Sequence, residues 1–241
     1  MRYTNVSLSP ARDLLTFRGP ALDGRGDVAL FVPEGPGPFP LVVLLHGVHG
    51  SSWSWRALGS ADATARAAPK PMVVAMPSDG LAGDGTGYVG RYERWILDDV
   101  VGCVREVVPA TTGPLFLAGL SMGGYGALRL AVKHADRVRA ASAHSTLTEL
   151  AQLAHFTADP LPPPEPDHSI LHWVDANRVR LPRLRFDCGT EDPVLPASRA
   201  LHRALDERRV AHGYAEFPGG HDWAYWTSHL PDTMAFFAAC L

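Results

Sequence analysis

Five short, strand-like apolar runs recur along this chain, separated by stretches of helical spacing, and that alternation limits the fold more than any other feature. The runs are Leu41–Leu45, Met72–Met76, Leu115–Ala118, Val138–Ala143 and Leu184–Cys188, and His212–Phe217 closes the series. LVVLL and MVVAM carry no polar residue, the pattern of strands covered on both faces in a parallel sheet. Helical stretches are read at Trp95–Val107, Met122–His134, Pro196–Arg208 and Trp223–Cys240. Strands alternating with helices build βαβ units with right-handed crossovers. The expected fold is therefore α/β, with one mainly parallel central sheet flanked by helices. The first forty residues differ: Val6–Leu8, Leu14–Arg18 and Val28–Val32 read as β structure broken by turns at Asp23-Gly24 and Pro33–Pro40. At 241 residues, one domain accounts for positions 1–241.

In a parallel sheet every carboxyl end lies on one side, so the loops that follow the runs share a rim. The loop after Leu115–Ala118 reads Gly119-Leu120-Ser121-Met122-Gly123, and a helix follows it. G-x-S-x-G alone is weak in a chain with 23 glycines. Between a strand and a helix it describes a turn so sharp that only glycine fits on either side, and it lifts the Ser121 hydroxyl over the sheet edge. A serine hydroxyl attacks only with a base in hydrogen-bond reach and an acid orienting that base. Both follow in the order serine, acid, histidine. Gly189-Thr190-Glu191-Asp192-Pro193 comes after Leu184–Cys188, and Asp192 stands at the loop tip, with Asp187 and Glu191 as alternative acids. Gly219-Gly220-His221-Asp222-Trp223 comes after His212–Phe217, and of the chain's 11 histidines His221 alone occupies such a loop after the acid. Oxyanion donors are expected at the Met122 N–H, where the helix begins, and at the Val48 N–H, in the glycine-rich segment His46-Gly47-Val48-His49-Gly50 after Leu41–Leu45. Trp53 and Trp223 flank these loops and are candidate walls of an acyl or alcohol pocket. His144, ending Val138–Ala143 on the rim, is a candidate substrate contact or a solvent-facing residue.

One stretch breaks the rhythm. Residues 145–177 separate two strands by more than one helix requires. Thr146-x-x-Glu149 suggests a capping box, Asp159–Pro166 (DPLPPPEP) an extended segment, and His168–Val174 a short helix. An insertion at a strand's carboxyl end overlies the crevice where such sheets bind ligands, so a lid or pocket wall is expected.

LLHGVHGSSWSW, GLSMGGYGAL, CGTEDP and FPGGHDWAYW span residues 41 to 226. In that order and spacing they resemble the alpha/beta-hydrolase fold, and within it the esterase family that includes esterase D and bacterial tributyrin-type esterases. The resemblance implies a serine carboxylesterase that acts on short acyl esters without metal or cofactor. It implies Ser121, Asp192 and His221 as triad, with Val48 and Met122 as oxyanion donors. Pro193 departs from the family, whose members often carry an aromatic residue there. An acyltransferase or peptidase on the same fold is the alternative, and a non-catalytic binding module a weaker one.

Composition removes other classes. A net charge of −3 supplies no basic field for nucleic acid. No apolar run approaches the length of a membrane span, and MRYTNVSLSPARD has no apolar signal core. Three widely spaced cysteines suit neither a disulfide framework nor a CxxC zinc site, so a reducing cytoplasm is expected. The resemblance implies a small-molecule ester as the substrate. His168 and His172, four apart, lack the Glu-x-x-His context of a metal pair. Asp98-Asp99 reads as a solvated helix face.

Overall fold

A computed structural model of the chain describes residues 3–80 and 84–241. Among these residues nine strands form one sheet: β1 (Thr4–Leu8), β2 (Leu14–Arg18), β3 (Gly26–Phe31), β4 (Leu41–Leu45), β5 (Val73–Pro77), β6 (Leu115–Leu120), β7 (Val138–His144), β8 (Arg183–Gly189) and β9 (His212–Phe217). Their order is β1-β2-β3-β5-β4-β6-β7-β8-β9. The first three are an antiparallel meander that joins β5 through β3. From β5 to β9 every pairing is parallel, as the apolar runs require. This is the alpha/beta-hydrolase fold.

The helices are α1 (Ser54–Ala57), α2 (Ala61–Ala67), α3 (Arg91–Arg94), α4 (Val101–Val107), α5 (Met122–Lys133), α6 (Ile170–Ala176), α7 (Leu195–Glu207) and α8 (Trp223–Ala238). They cover both faces of the sheet. The two-residue period of a strand divides the core accordingly. Leu41, Val43 and Leu45 of β4 pack on the face that holds α5, while Val42 and Leu44 pack on the face that holds α8. In α5, Met122 to Val132 are all buried, because α6 covers the side turned away from the sheet.

Four local expectations are corrected. The helix read at Trp95–Val107 is interrupted: Trp95–Val100 is π-helical between α3 and α4. There Asp98 pairs with Arg137, but Asp99 turns inward, is buried, and accepts the Ala21 N–H at 2.8 Å, so the pair is not a solvated face. In residues 145–177 the cap lies one turn later than Thr146. Glu149 starts the 3-10 helix Leu150–His155, and the Gln152 side chain accepts the N–H groups of Thr148 and Glu149 at 2.8 and 3.2 Å. The short helix begins at Ile170, because Ser169 caps it by accepting the His172 N–H at 3.2 Å. No helix among the described residues is long and apolar enough to cross a membrane.

Candidate active site

Ser121 sits between β6 and α5 with φ 52° and ψ −119°, a conformation that non-glycine residues rarely adopt. The surroundings enforce it. Its N–H donates to the His144 carbonyl at 3.0 Å, and its own carbonyl accepts the Tyr125 and Leu147 N–H groups at 3.0 and 3.3 Å. A Cβ on Gly119 would lie 2.4 Å from backbone atoms of Gly123, and one on Gly123 would lie 2.4 Å from the Leu45 carbonyl oxygen. Neither backbone can yield, so the glycines of the motif are what let strand, turn and helix approach so closely.

The parallel sheet brings the two downstream loops to the same rim. They are joined to each other by backbone bonds: Thr190 N–H donates to Phe217 O at 2.8 Å and Glu191 N–H to Gly219 O at 3.0 Å. Asp192 accepts the Val194 N–H on Oδ1 at 2.9 Å, which fixes the carboxylate plane. Both of its oxygens lie 3.0 Å from His221 Nδ1, and His221 Nε2 lies 3.1 Å from Ser121 Oγ. A carboxylate can only accept, so Nδ1 carries the proton and Nε2 presents its lone pair to the serine hydroxyl. Burial pushes the Asp192 carboxyl up, but the hydrogen bond from His221, with the Ser145 hydroxyl and Val194 N–H nearby, outweighs this and holds it below its ordinary value. It is therefore ionised at neutral pH. Of the three candidate acids, only Asp192 bonds to His221. Asp187 is buried in β8 among other partners, and Glu191 is exposed.

The loop after β4 is held by a residue whose role the sequence did not reveal. His46 is buried; its Nδ1 donates to Gly47 O at 2.7 Å and its Nε2 accepts the Asp79 N–H at 3.1 Å. Those bonds need the neutral imidazole, and burial, working against the nearby Asp79 charge, lowers its pKa. The Tyr88 hydroxyl adds a bond to His46 O at 3.0 Å. So anchored, the loop carries Val48 into the cleft wall. Neither the Val48 nor the Met122 backbone N–H has a hydrogen-bond acceptor among the described residues. Val48 lines the cleft that holds Ser121, and Met122 follows Ser121 at the first position of α5, where backbone N–H groups have no partner within the helix.

The cleft above Ser121 has a volume of about 360 Å³ and is walled by Val48, Leu58, Phe156, Trp223 and Trp226. Trp223 is where the sequence placed it, edge-on to Trp55 and Trp226. Trp53 is not: it is 43% exposed, lies outside the cleft lining, and its ring packs under the Arg56 guanidinium. His144 faces neither substrate nor solvent. It is fully buried, with Nδ1 on Asp187 and Nε2 on Thr233, because its side chain turns down between the sheet and α8. Phe156, which nothing in the sequence singled out, stacks on His221 with ring centroids 5.7 Å apart. Its carbonyl is bonded to His49 Nε2 at 3.0 Å, so residues 145–177 contribute a wall of the cleft.

Among the described residues one trio could hold a metal: His202, Asp206 and His212, with ligand atoms within 4.8 Å of one another. It lies on α7 and β9, outside the cleft, and its donors are engaged locally. His212 Nδ1 donates to Val210 O at 2.7 Å, so its Nε2 must accept from His202 Nδ1 at 2.8 Å.

Comparison with known proteins gives the family and the fold. The family model described as "Putative esterase" matches residues 19–237. An acetyl esterase of Caldicellulosiruptor saccharolyticus is 23% identical over 219 residues, covering 79% of this chain and 80% of that protein. Among solved structures, the fluorophosphonate-binding serine hydrolase F of Staphylococcus aureus superposes with a TM-score of 0.82 at 21% identity, over 92% of this chain and 96% of that one. The S-formylglutathione hydrolase of the same organism gives 0.81 at 20% identity, over 97% and 99%.

Proposed function

This chain belongs to the "Putative esterase" family and is a carboxylic ester hydrolase, and from that premise we propose that it cleaves short-chain acyl esters through Ser121, His221 and Asp192. The observation that carries the assignment is the continuous relay at the cleft floor, 3.1 Å from Ser121 Oγ to His221 Nε2 and 3.0 Å from His221 Nδ1 to Asp192. His221 takes the serine proton as Oγ attacks the ester carbonyl. The carbonyl oxygen gains charge and is held by the Val48 and Met122 N–H groups, each worth about 2.7–4 kcal/mol in comparable sites. Asp192 keeps the imidazole in the productive tautomer and stabilises its cation. His221 then returns the proton to the departing alkoxide, leaving an acyl-Ser121. Water activated by His221 opens that intermediate by the reverse sequence.

Two observations support a small acyl group. The cleft, about 360 Å³, is lined by the large rings of Trp223, Trp226 and Phe156, and the matched relative from Caldicellulosiruptor saccharolyticus is an acetyl esterase. In the same reading, residues 145–177 act as a lid that keeps water from the relay through Phe156. A series of p-nitrophenyl esters of increasing acyl length tests the substrate class, with kcat/KM expected to be highest for acetate to butyrate. Ser121→Ala should abolish both turnover and labelling by a fluorophosphonate. Persistent labelling of that variant overturns the assignment of the nucleophile.

A further inference from the structure

Below the relay lies a second, fully buried arrangement of aspartate, histidine and hydroxyl that takes no part in the chemistry above. Parallel register pairs Ser142 and His144 of β7 with Arg185 and Asp187 of β8. Residues two apart in a strand face the same way, so all four side chains point to one face of the sheet. Helix α8 covers that face with Tyr225 and Thr233, eight residues apart and hence on one helix stripe. Ser142, His144, Asp187 and Thr233 are entirely inaccessible to solvent.

One arrangement of protons gives every member of the group a partner. Arg185 only donates, so Ser142 Oγ accepts its Nη1 at 3.3 Å, and Asp187 Oδ2 pairs with the same nitrogen at 2.7 Å. Ser142 then donates to Thr233 Oγ1 at 2.6 Å, and Thr233 donates to His144 Nε2 at 2.9 Å. His144 Nδ1 donates to Asp187 at 2.9 Å, and the Tyr225 hydroxyl donates to the same carboxylate, also at 2.9 Å. His144 is neutral in this scheme, and the charges of Arg185 and Asp187 cancel. A buried polar cluster is tolerable only when it is satisfied in this way, and it then permits very little displacement.

Ser121 rests on this cluster through a direct bond, and Asp192 and His221 are tied to it through neighbouring residues. The His144 carbonyl accepts the Ser121 N–H at 3.0 Å. The Asp187 carbonyl accepts the Ser145 N–H at 2.8 Å, and Ser145 is the left-handed residue (φ 47°) whose hydroxyl neighbours Asp192. Tyr225 presses its ring on Gly219 of the histidine loop, where a Cβ would meet it at 2.8 Å, and its N–H is capped by Asp222, the residue after His221. We propose that His144, Asp187, Thr233 and Tyr225 are positioning residues that hold β7, β8 and α8 at the spacing the Ser121–His221–Asp192 relay needs. The proposal rests on the esterase reading of that relay.

Thr233→Val tests it, because the two side chains have nearly the same shape and only the hydroxyl is lost. His144 Nε2 is then left without a partner and Ser142 without an acceptor. We expect kcat for p-nitrophenyl acetate to fall about tenfold or more with KM within about twofold, since a small misplacement of catalytic groups costs up to about a hundredfold. The rate of fluorophosphonate labelling should fall in parallel, and Thr233→Ser, which restores the oxygen, should recover most of kcat. All rates are read at a temperature where thermal melts show each variant folded. If Thr233→Val does not fold, Tyr225→Phe removes one oxygen and should lower kcat in the same direction with KM unchanged. A folded variant with a lower Tm but parental kcat overturns the proposal, since the cluster would then contribute stability alone. Ser121→Ala run beside them separates the two readings. Inactive Ser121→Ala with a fully active Thr233→Val overturns only the positioning role, whereas active Ser121→Ala overturns the esterase reading on which that role rests.

Discussion

Asp192→Asn should be far more damaging than the loss of one negative charge suggests, and the reason lies in a neighbouring backbone bond. Asp192 Oδ1 accepts the Val194 N–H at 2.9 Å. In the asparagine variant that N–H still needs an acceptor, so the amide oxygen must take the Oδ1 position. The amide nitrogen then occupies the Oδ2 position, 3.0 Å from His221 Nδ1. Oδ1, also 3.0 Å from Nδ1 but shared with the Val194 N–H, is then the one acceptor left, and an amide N–H facing Nδ1 from the other position favours the tautomer with its proton on Nε2. Nε2, 3.1 Å from Ser121 Oγ, becomes a donor and can no longer take the serine proton. A wrongly fixed tautomer in a serine–histidine–aspartate relay costs about 10⁴ in kcat, or roughly 5.4 kcal/mol at 1.36 kcal/mol per factor of ten. The assay is p-nitrophenyl acetate hydrolysis, with burst amplitude to count competent sites and circular dichroism to confirm the fold. Glu191→Gln is the control: Glu191 is exposed on the same loop, and its variant should stay within about twofold of the parent. Asp192→Asn retaining a tenth of the parental kcat, or Glu191→Gln losing as much as Asp192→Asn, would refute the tautomer argument.

Two further variants probe other parts of the molecule. Burial pushes Glu93 up, yet His134, Arg129 and Lys133 outweigh it and hold its carboxyl at about 2 against an ordinary 4.5. A depressed folded-state pKa gives stability that is complete above about pH 4.5 and is lost as pH falls towards 2, so the unfolding free energy should drop over that window by at most about 3 kcal/mol. Glu93→Gln should flatten that acid limb, and an unchanged limb in chemical denaturation curves would discount the cluster. Trp223→Ala should lengthen the cleft, whose present volume is about 360 Å³. At about 0.8 kcal/mol per buried methylene, kcat/KM for butyrate and hexanoate esters should rise relative to acetate by up to about fourfold per added methylene. An identical acyl-length profile in the variant would remove Trp223 from the pocket wall.

How much of this could be read from the residues depended on which physical signal each feature leaves. Strand runs leave a strong one, since LVVLL suits a strand buried on both faces, as in a parallel sheet covered by helices, and Leu41–Leu45 and His212–Phe217 appear where they were read. Rim placement follows from parallel direction alone, which is why the loops of Ser121, Asp192 and His221 could be brought together on paper. Short helices such as α1 and α2 have too few turns to show a period. Residues 145–177, rich in proline, have no period at all, so Phe156 on His221 was invisible. Trp53 follows the glycine-rich loop after β4 closely enough to suggest the pocket, but its ring lies under the Arg56 guanidinium instead.

His144 shows the sharper limit. Its position at the end of β7 correctly predicts the rim for its backbone, and the backbone does serve the site by accepting the Ser121 N–H. Side-chain direction is a separate variable, set by strand parity and by what the neighbouring strand and helix offer. Ser142 and His144 share a parity, and so do Arg185 and Asp187. All four are polar, on a sheet face that α8 buries. A run of polar residues of one parity on two adjacent central strands cannot face bare hydrocarbon, because each unpaired group would cost about 1–3 kcal/mol. Their partners must therefore come from one another and from the covering helix, as Tyr225 and Thr233 do. Read in that order, from parity to burial to satisfaction, β7 and β8 imply a closed polar cluster beneath the nucleophile. The same step separates Asp187 from Asp192: an acid inside a central strand must answer to the core, and only the one on the loop is free to answer to His221.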